Sequence, residues 1–298
     1  MRAKTLRSVF VPVLLLFLSS PSQAQKLKVF ISVDMEGITG VVHGDQTGAG
    51  GHDYNMARKW MTADANAAIL GALDAGATEI IVNDSHGDQR NLLLSELHPA
   101  ATLIAGSPKP MGMMQGIDGT FDAVMFVGYH AKAGTVDGVL DHTISGAAVY
   151  SIRINGIEMP ELGINALVAG QHNVPVVLIT GDKAVCEQAK EILDDKIVTA
   201  QVKEGIGRYA AKNLSSERAQ QLIRQQAKAA MEKRKEIKPY KLNPPYRFEL
   251  AYVRSSQADN AMFVPGIKRL NARTIGFQTE DYITGYRLLR GAISLGRE

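Results

Sequence analysis

"KVFISVDMEG", residues 28 to 37, is a run of β-branched and aromatic residues that stops at two acids and a glycine. Val29, Phe30, Ile31 and Val33 favour a strand, and the charge at Asp34 and Glu36 marks its end. Alternate side chains of a strand share a face, so Asp34 and Glu36 project together if the strand extends through Met35, which then points into the core. Gly37 lets the backbone turn away sharply.

Outward from this stretch the pattern repeats. "TEIIVND" (78–84), "ATLIAG" (101–106) and "DAVMFVG" (122–128) read as further strands. "NMARKWMTADANAAILGALDAG" carries apolar residues at helical spacing and closes on Gly76, which suits a helix C-terminus. Strands alternating with helices predict an open α/β fold around a parallel sheet. Beyond about residue 145 the rhythm changes. Tyr150, Ile152 and Ile154 alternate with smaller or polar residues before Asn155-Gly156, a strong hairpin signal. "ELGINALVAGQHN" then reads as helix and "VPVVLITGD" as a buried strand. "LSSERAQQLIRQQAKAAMEKRKE" predicts a long charged helix capped at or near Ser215, and "KPYKLNPPYRFELAYV" a proline-broken linker leading into a strand. The expected organisation is an α/β metal-binding catalytic domain over 25–200, a smaller α+β domain over 201–275, and a final helix within 276–298 that packs back on the first domain.

The first 24 residues speak to compartment. Arg2, Lys4 and Arg7 precede the apolar run "VFVPVLLLFL", and "SQA" offers small residues for cleavage after Ala24. This is the layout of a secretory signal peptide, so the mature chain is expected to be exported, periplasmic or secreted. The apolar run falls short of the roughly 20 residues of a membrane span. Cleavage removes three of the 33 Lys and Arg and none of the 30 Asp and Glu, leaving 30 against 30. Such a balance does not point to a nucleic-acid partner, nor to a membrane partner once the signal is gone. The sole cysteine, Cys186, can form no intramolecular disulfide and reads as packing. The fold must then rest on its core, which the mature length and the 45% hydrophobic content of the whole chain can supply.

The acid pair is weak evidence alone, but it lies at the carboxyl end of a central strand, where open α/β sheets place ligands. "VNDSHGD" puts Asp84 and His86 beyond the second strand, and "VGYHAKAG" puts His130 beyond the fourth. Parallel strands bring these ends to one edge of the sheet. Asp34, Glu36, His86 and His130 can therefore converge as a mixed N/O ligand set suited to zinc or another first-row divalent ion. Glu161, at the start of the helix after the hairpin, adds a carboxylate that makes a second ion feasible. His142, in a loop of glycines and small residues that can close over a substrate, is a further candidate. His43, His52, His98 and His172 lack comparable placement.

"SVDMEG", "NDSHGDQRNL", "GYHAKAGT", "DHTISG", "ELGINALVAG" and the later "QADNAMFVPG" resemble, in order, the motifs of the zinc-dependent D-aminopeptidase family associated with bacterial dipeptide-transport operons. The resemblance runs from about Lys28 to the C-terminus. It implies a Rossmann-like α/β domain with a smaller α+β domain, and a site for two zinc ions. Asp34 would bridge both ions, Glu36 and His86 complete one set, His130 and Glu161 the other, and His142 match the histidine proposed as catalytic. It also implies a homo-oligomeric ring, a decamer, whose interior admits only short peptides. Members of the family need no export signal for a role in using imported peptides, so the leader sets this chain apart. An exported enzyme would meet D-alanine-containing peptides released by cell-wall turnover.

Two ions sharing a carboxylate can lower the pKa of a water and polarise a peptide carbonyl. His142 could stabilise the oxyanion, act as general acid, or itself attack. The same ligands are compatible with another exported metal-dependent hydrolase, an amidase or phosphoesterase, because fold and metal do not fix substrate. An exported peptide-binding protein without turnover is the third reading.

Overall fold

Side chains of the first strand, β1 (Lys28–Val33), divide between two cores in a computed structural model that describes residues 1, 3–5 and 26–297. Val29, Ile31 and Val33 enter one core and Phe30 the other, the period-2 alternation of a strand covered on both faces. The expected signal segment falls outside the described residues, apart from 1 and 3–5. Among the described residues no helix is long and apolar enough to cross a membrane.

The chain continues through α1 (Tyr54–Asp74), β2 (Glu79–Asp84), β3 (Ala101–Ile104), β4 (Ala123–Tyr129), β5 (Val149–Ile154), β6 (Ile157–Glu158), α2 (Glu161–Gln171) and β7 (Val176–Asp182). Next come α3 (Lys183–Ile192), β8 (Val198–Gly207), β9 (Ala210–Asn213), α4 (Ser216–Lys233), β10 (Tyr246–Tyr252), α5 (Ser255–Ala261), β11 (Lys268–Arg269), β12 (Thr274–Thr279) and α6 (Tyr282–Leu295). The larger sheet has the order β3-β2-β1-β4-β7-β8-β9 and is parallel except for β9. The smaller, antiparallel sheet has the order β11-β12-β10-β5-β6. The mixed α/β class and the parallel sheet match the sequence expectation. So does the hairpin: Asn155 and Gly156 take φ of +50° and +81°, as a type I′ turn demands.

The sheets divide the chain differently from the expected boundary at residue 200. β8 runs across that point, pairs with β7 in the large sheet and places Ala200 and Val202 in the core with α1 and α4. The β5–β6 hairpin, expected in the first domain, joins the smaller sheet instead. Burial explains both assignments. Ile152 and Ile154 enter the core shared with Phe248 and Leu250, whereas the polar residues that made 201–213 look like a separate region belong to the large sheet's edge. That shared core also contains Phe30 and Phe126 of the large sheet and Tyr286, Leu289 and Ile293 of α6. The final helix packs on β10 and β12 of the smaller sheet and against α2 and α5.

Candidate metal centre

Strand order reverses between β1 and β4, the position at which doubly wound sheets form a ligand crevice. Val33 pairs with Asp84 of β2 and Val127 of β4, so the residues that follow these strands emerge side by side. The acid pair does not come together by strand alternation, because β1 ends at Val33 and residues 34–37 form a bend and turn. Asp34 N donates to Val127 O and Gly37 N to Gly128 O, each at 2.8 Å, while Met35 is fully buried, as alternation would also have it. A Cβ on Gly37 would lie 1.9 Å from Tyr129 O. Glycine is required there for close approach of two backbones, not for a left-handed turn.

Asp34 directs one carboxylate oxygen to each side of the crevice. Its Oδ1 is 3.3 Å from His86 Nδ1 and its Oδ2 3.4 Å from His130 Nε2. Glu36 Oε2 lies 3.0 Å from the same His86 nitrogen, and Glu161 Oε1 3.2 Å from the same His130 nitrogen. His142 Nε2 faces Glu36 Oε1 at 3.9 Å and Glu161 Oε1 at 3.8 Å. The ligand atoms fall into two triads, Asp34/Glu36/His86 and His130/His142/Glu161, each spanning no more than 4.8 Å. All six residues named from the sequence thus converge, and His43, His52, His98 and His172 belong to neither triad. Cys186 is buried elsewhere, in the core under α3, where burial pushes its thiol up to about 12.

Each of the three imidazoles commits one N–H to a backbone carbonyl. His86 Nε2 donates to Thr47 O at 2.7 Å, His130 Nδ1 to Ala131 O at 3.0 Å and His142 Nδ1 to Leu140 O at 2.8 Å. A neutral ring then aims a lone pair from its other nitrogen at carboxylate oxygens, a repulsive contact unless a cation lies between them. The orphaned atom is visible: His130 Nε2 is buried without a hydrogen-bond partner. Burial pulls His86 and His130 down, but Glu36 and Asp34 around the first, and Glu161 and Asp34 around the second, raise both well above the ordinary imidazole range. Burial opposes ionisation of Glu36 as well, yet His86 and its neighbours hold it well below the usual carboxylate range. The cluster favours positive charge between its carboxylates and imidazoles, which a divalent ion would supply. Buried carboxylates and oriented imidazoles fit zinc or a similar first-row ion.

Several supporting groups that no sequence motif marks as such surround the triads. Ser32 Oγ lies 2.6 Å from Ser85 Oγ and 2.8 Å from the Tyr129 hydroxyl, which also accepts from Asn165 Nδ2 at 3.1 Å. This buried network ties together β1, the loop after β2, β4 and α2 beside the two triads. Asp84 belongs to neither triad. Its carboxylate accepts from the backbone of Asn91 at 2.6 Å and Leu92 at 2.7 Å, closing the loop that carries His86. Lys203, fully buried on β8, donates from Nζ to the carbonyls of Glu36, Ile38 and Val41 and so clamps the turn that presents Glu36. Ser32 and Ser85 stand next to the strand-end candidates in the sequence, the one signal that points to them; nothing in the string "VKEG" distinguishes Lys203 from a surface charge.

Comparison with known proteins agrees with the geometry. A peptidase family described as D-aminopeptidase matches residues 27–291. A D-aminopeptidase of Bacillus subtilis (strain 168) is 37% identical over 269 residues, covering 88% of this chain and 95% of that protein. The solved structure of a zinc-dependent D-aminopeptidase from Bacillus subtilis, described as a self-compartmentalizing protease, superposes with a TM-score of 0.88 at 35% identity. It covers 91% of this chain and 99% of that one.

Proposed function

Because this chain belongs to the D-aminopeptidase family of peptidases, we propose that it removes an N-terminal D-residue, D-alanine above all, from short peptides at a site for two zinc ions. The observation that carries the reading is Asp34, whose two oxygens face His86 on one side and His130 on the other. One ion would be held by Asp34, Glu36 and His86, the second by Asp34, His130 and Glu161. Ions so placed supply a Lewis acid for the scissile carbonyl and an acidified water near neutral pH.

The chain's own contribution is orientation and proton handling. Leu140 O fixes the His142 ring, leaving Nε2 directed into the cavity to give or take a proton at the reacting centre. The acidic wall of Asp34, Glu36 and Glu161 also favours a substrate's free amine, consistent with aminopeptidase rather than endopeptidase action. The N-terminal sequence supports export to the periplasm or beyond, where D-alanyl peptides arise from cell-wall turnover. The self-compartmentalizing relative supports assembly of this chain into a homo-oligomeric ring.

Metal analysis of the purified mature protein with a panel of D- and L-alanyl dipeptides tests this reading. About two zinc ions per chain and faster cleavage of the D-substrates are expected. Equal rates on both enantiomers would remove the stereospecificity, and a single ion per chain would remove the bridge. Peptide binding that survives chelation without turnover would mark a binding protein instead.

A further inference from the structure

One cavity of about 160 Å³ is lined by Asp34, Glu36, His86 and Glu161 and also by two arginines, Arg290 on α6 and Arg297 just beyond it. Resting on the aminopeptidase reading above, we propose that Arg290 and Arg297 bind the free α-carboxylate of the substrate, so that the site selects dipeptides.

Among the described residues neither arginine pairs with a carboxylate. Arg290 Nη1 donates to Lys109 O at 2.9 Å, and Arg297 Nη2 to Ile144 O at 3.3 Å. A guanidinium has five N–H donors in a planar fork, so each contact orients the group and leaves donors for a bidentate carboxylate. Arg290 is further steadied over the Tyr286 ring, 5.9 Å from its centroid.

Ile144 sets the distance between the two ends. Its N–H donates to Glu161 Oε1 at 2.6 Å, and its carbonyl accepts from Arg297. This β-branched residue takes φ of +62°, a region that favours glycine, and the two hydrogen bonds hold it there. Arg297 is therefore anchored on the same residue whose N–H holds Glu161. Two residues of extended peptide span about 7 Å, so a dipeptide with its amine and scissile bond at the triads would carry its carboxylate to the arginines that line the same cavity.

Size and polarity agree. The cavity is smaller than the roughly 300–1,000 Å³ of sites for drug-sized ligands. Gln89, only 5% exposed, also lines it and leaves Oε1 without a partner, an acceptor for a peptide N–H. A tripeptide bound at the metals would set an uncharged amide against the arginines and carry its carboxylate past them.

The test compares D-alanyl-D-alanine with its C-terminal amide on the zinc-loaded full chain, by kcat/KM and by calorimetric binding to the inactive His142→Ala protein. The acid should be favoured roughly ten- to hundredfold, the worth of a charge-assisted hydrogen bond. Arg290→Gln and Arg297→Gln should each shrink the acid-to-amide ratio towards one, chiefly through KM. Equal handling of acid and amide by the parent protein, or variants that leave the ratio unchanged, would overturn the proposal. If neither compound is hydrolysed but the acid still binds more tightly in an arginine-dependent way, the carboxylate site stands and the aminopeptidase reading fails. Absence of both hydrolysis and discrimination defeats both.

Discussion

The imidazoles of His130 and His142 lie face to face, with centroids 4.0 Å apart and planes within 11° of parallel. One ring is shut away at 1% side-chain exposure while the other opens to the cavity at 18%. Their roles divide accordingly. His130 Nε2 lies 3.2 Å from Glu161 Oε1 and 3.4 Å from Asp34 Oδ2, whereas His142 Nε2, though in the same triad, stands 3.8 and 3.9 Å from its nearest acids, beyond hydrogen-bond range.

His142→Ala is accordingly expected to lower kcat by about 10²–10⁴, the usual scale for a positioned acid or base, while zinc stays near two per chain. Elemental analysis beside the rate assay separates the possibilities. Loss of one ion would make His142 a ligand.

Asp34→Asn should remove metal and activity together, because an amide supplies one acceptor oxygen where two are used. Equilibrium dialysis against zinc reads this directly. A variant that retains both ions would contradict the bridge.

The close approach at Gly37 makes the opening motif sensitive to a single methyl group. Gly37→Ala should destabilise the fold by about 3 kcal/mol or more, the upper end for overpacking. Gly44→Ala, where an added Cβ meets nothing within 4 Å, is the control. Denaturant midpoints of the two variants should differ clearly. Similar midpoints would mean that the backbones at Gly37 and Tyr129 can part cheaply.

Asp64 gives the protein a pH dependence away from the metal site. Burial pushes its carboxyl up to about 6, against the hydrogen bonds from Thr39 and the charge of Lys203. In the unfolded chain it ionises near 3.9. Between those values the folded protein keeps a proton that the unfolded chain has released, so stability is lost as pH rises from about 4 through about 6. Asp64→Asn lacks that loss and retains an acceptor for Thr39. Relative to the parent, its stability should rise by up to about 3 kcal/mol between pH 4 and pH 7. A difference that does not change with pH would show the carboxylate to be solvated.

Residues 1–30 fused to a reporter should carry it out of the cytoplasm, by the logic of the charged start, apolar run and small residues before residue 25. Cytoplasmic retention, read by cell fractionation, would end the case for export.

Much of this was legible in the sequence, for identifiable reasons. Asp34, His86 and His130 could be placed together because parallel strands put their carboxyl ends at one edge, a rule independent of detail. Asn155-Gly156 announced its turn because few other dipeptides tolerate two positive φ angles. The domain boundary was not legible: whether β8 joins one sheet or another depends on long-range pairing, and its sequence alternates too weakly to say. Nor could spacing reveal the Ile144 backbone between Glu161 and Arg297, a hydrogen-bonded link that exists only after α6 has docked.

All the proposed metal ligands lie between residues 34 and 161, yet the turn presenting Glu36 is fastened by an ammonium 167 positions along the chain from it. A nascent chain stopped at residue 200 has every ligand and lacks the clamp. The site is thus scattered in time as well as in sequence. Its carboxylates are made early, and the lysine that clamps the Glu36 turn is synthesised only in the last third of the chain.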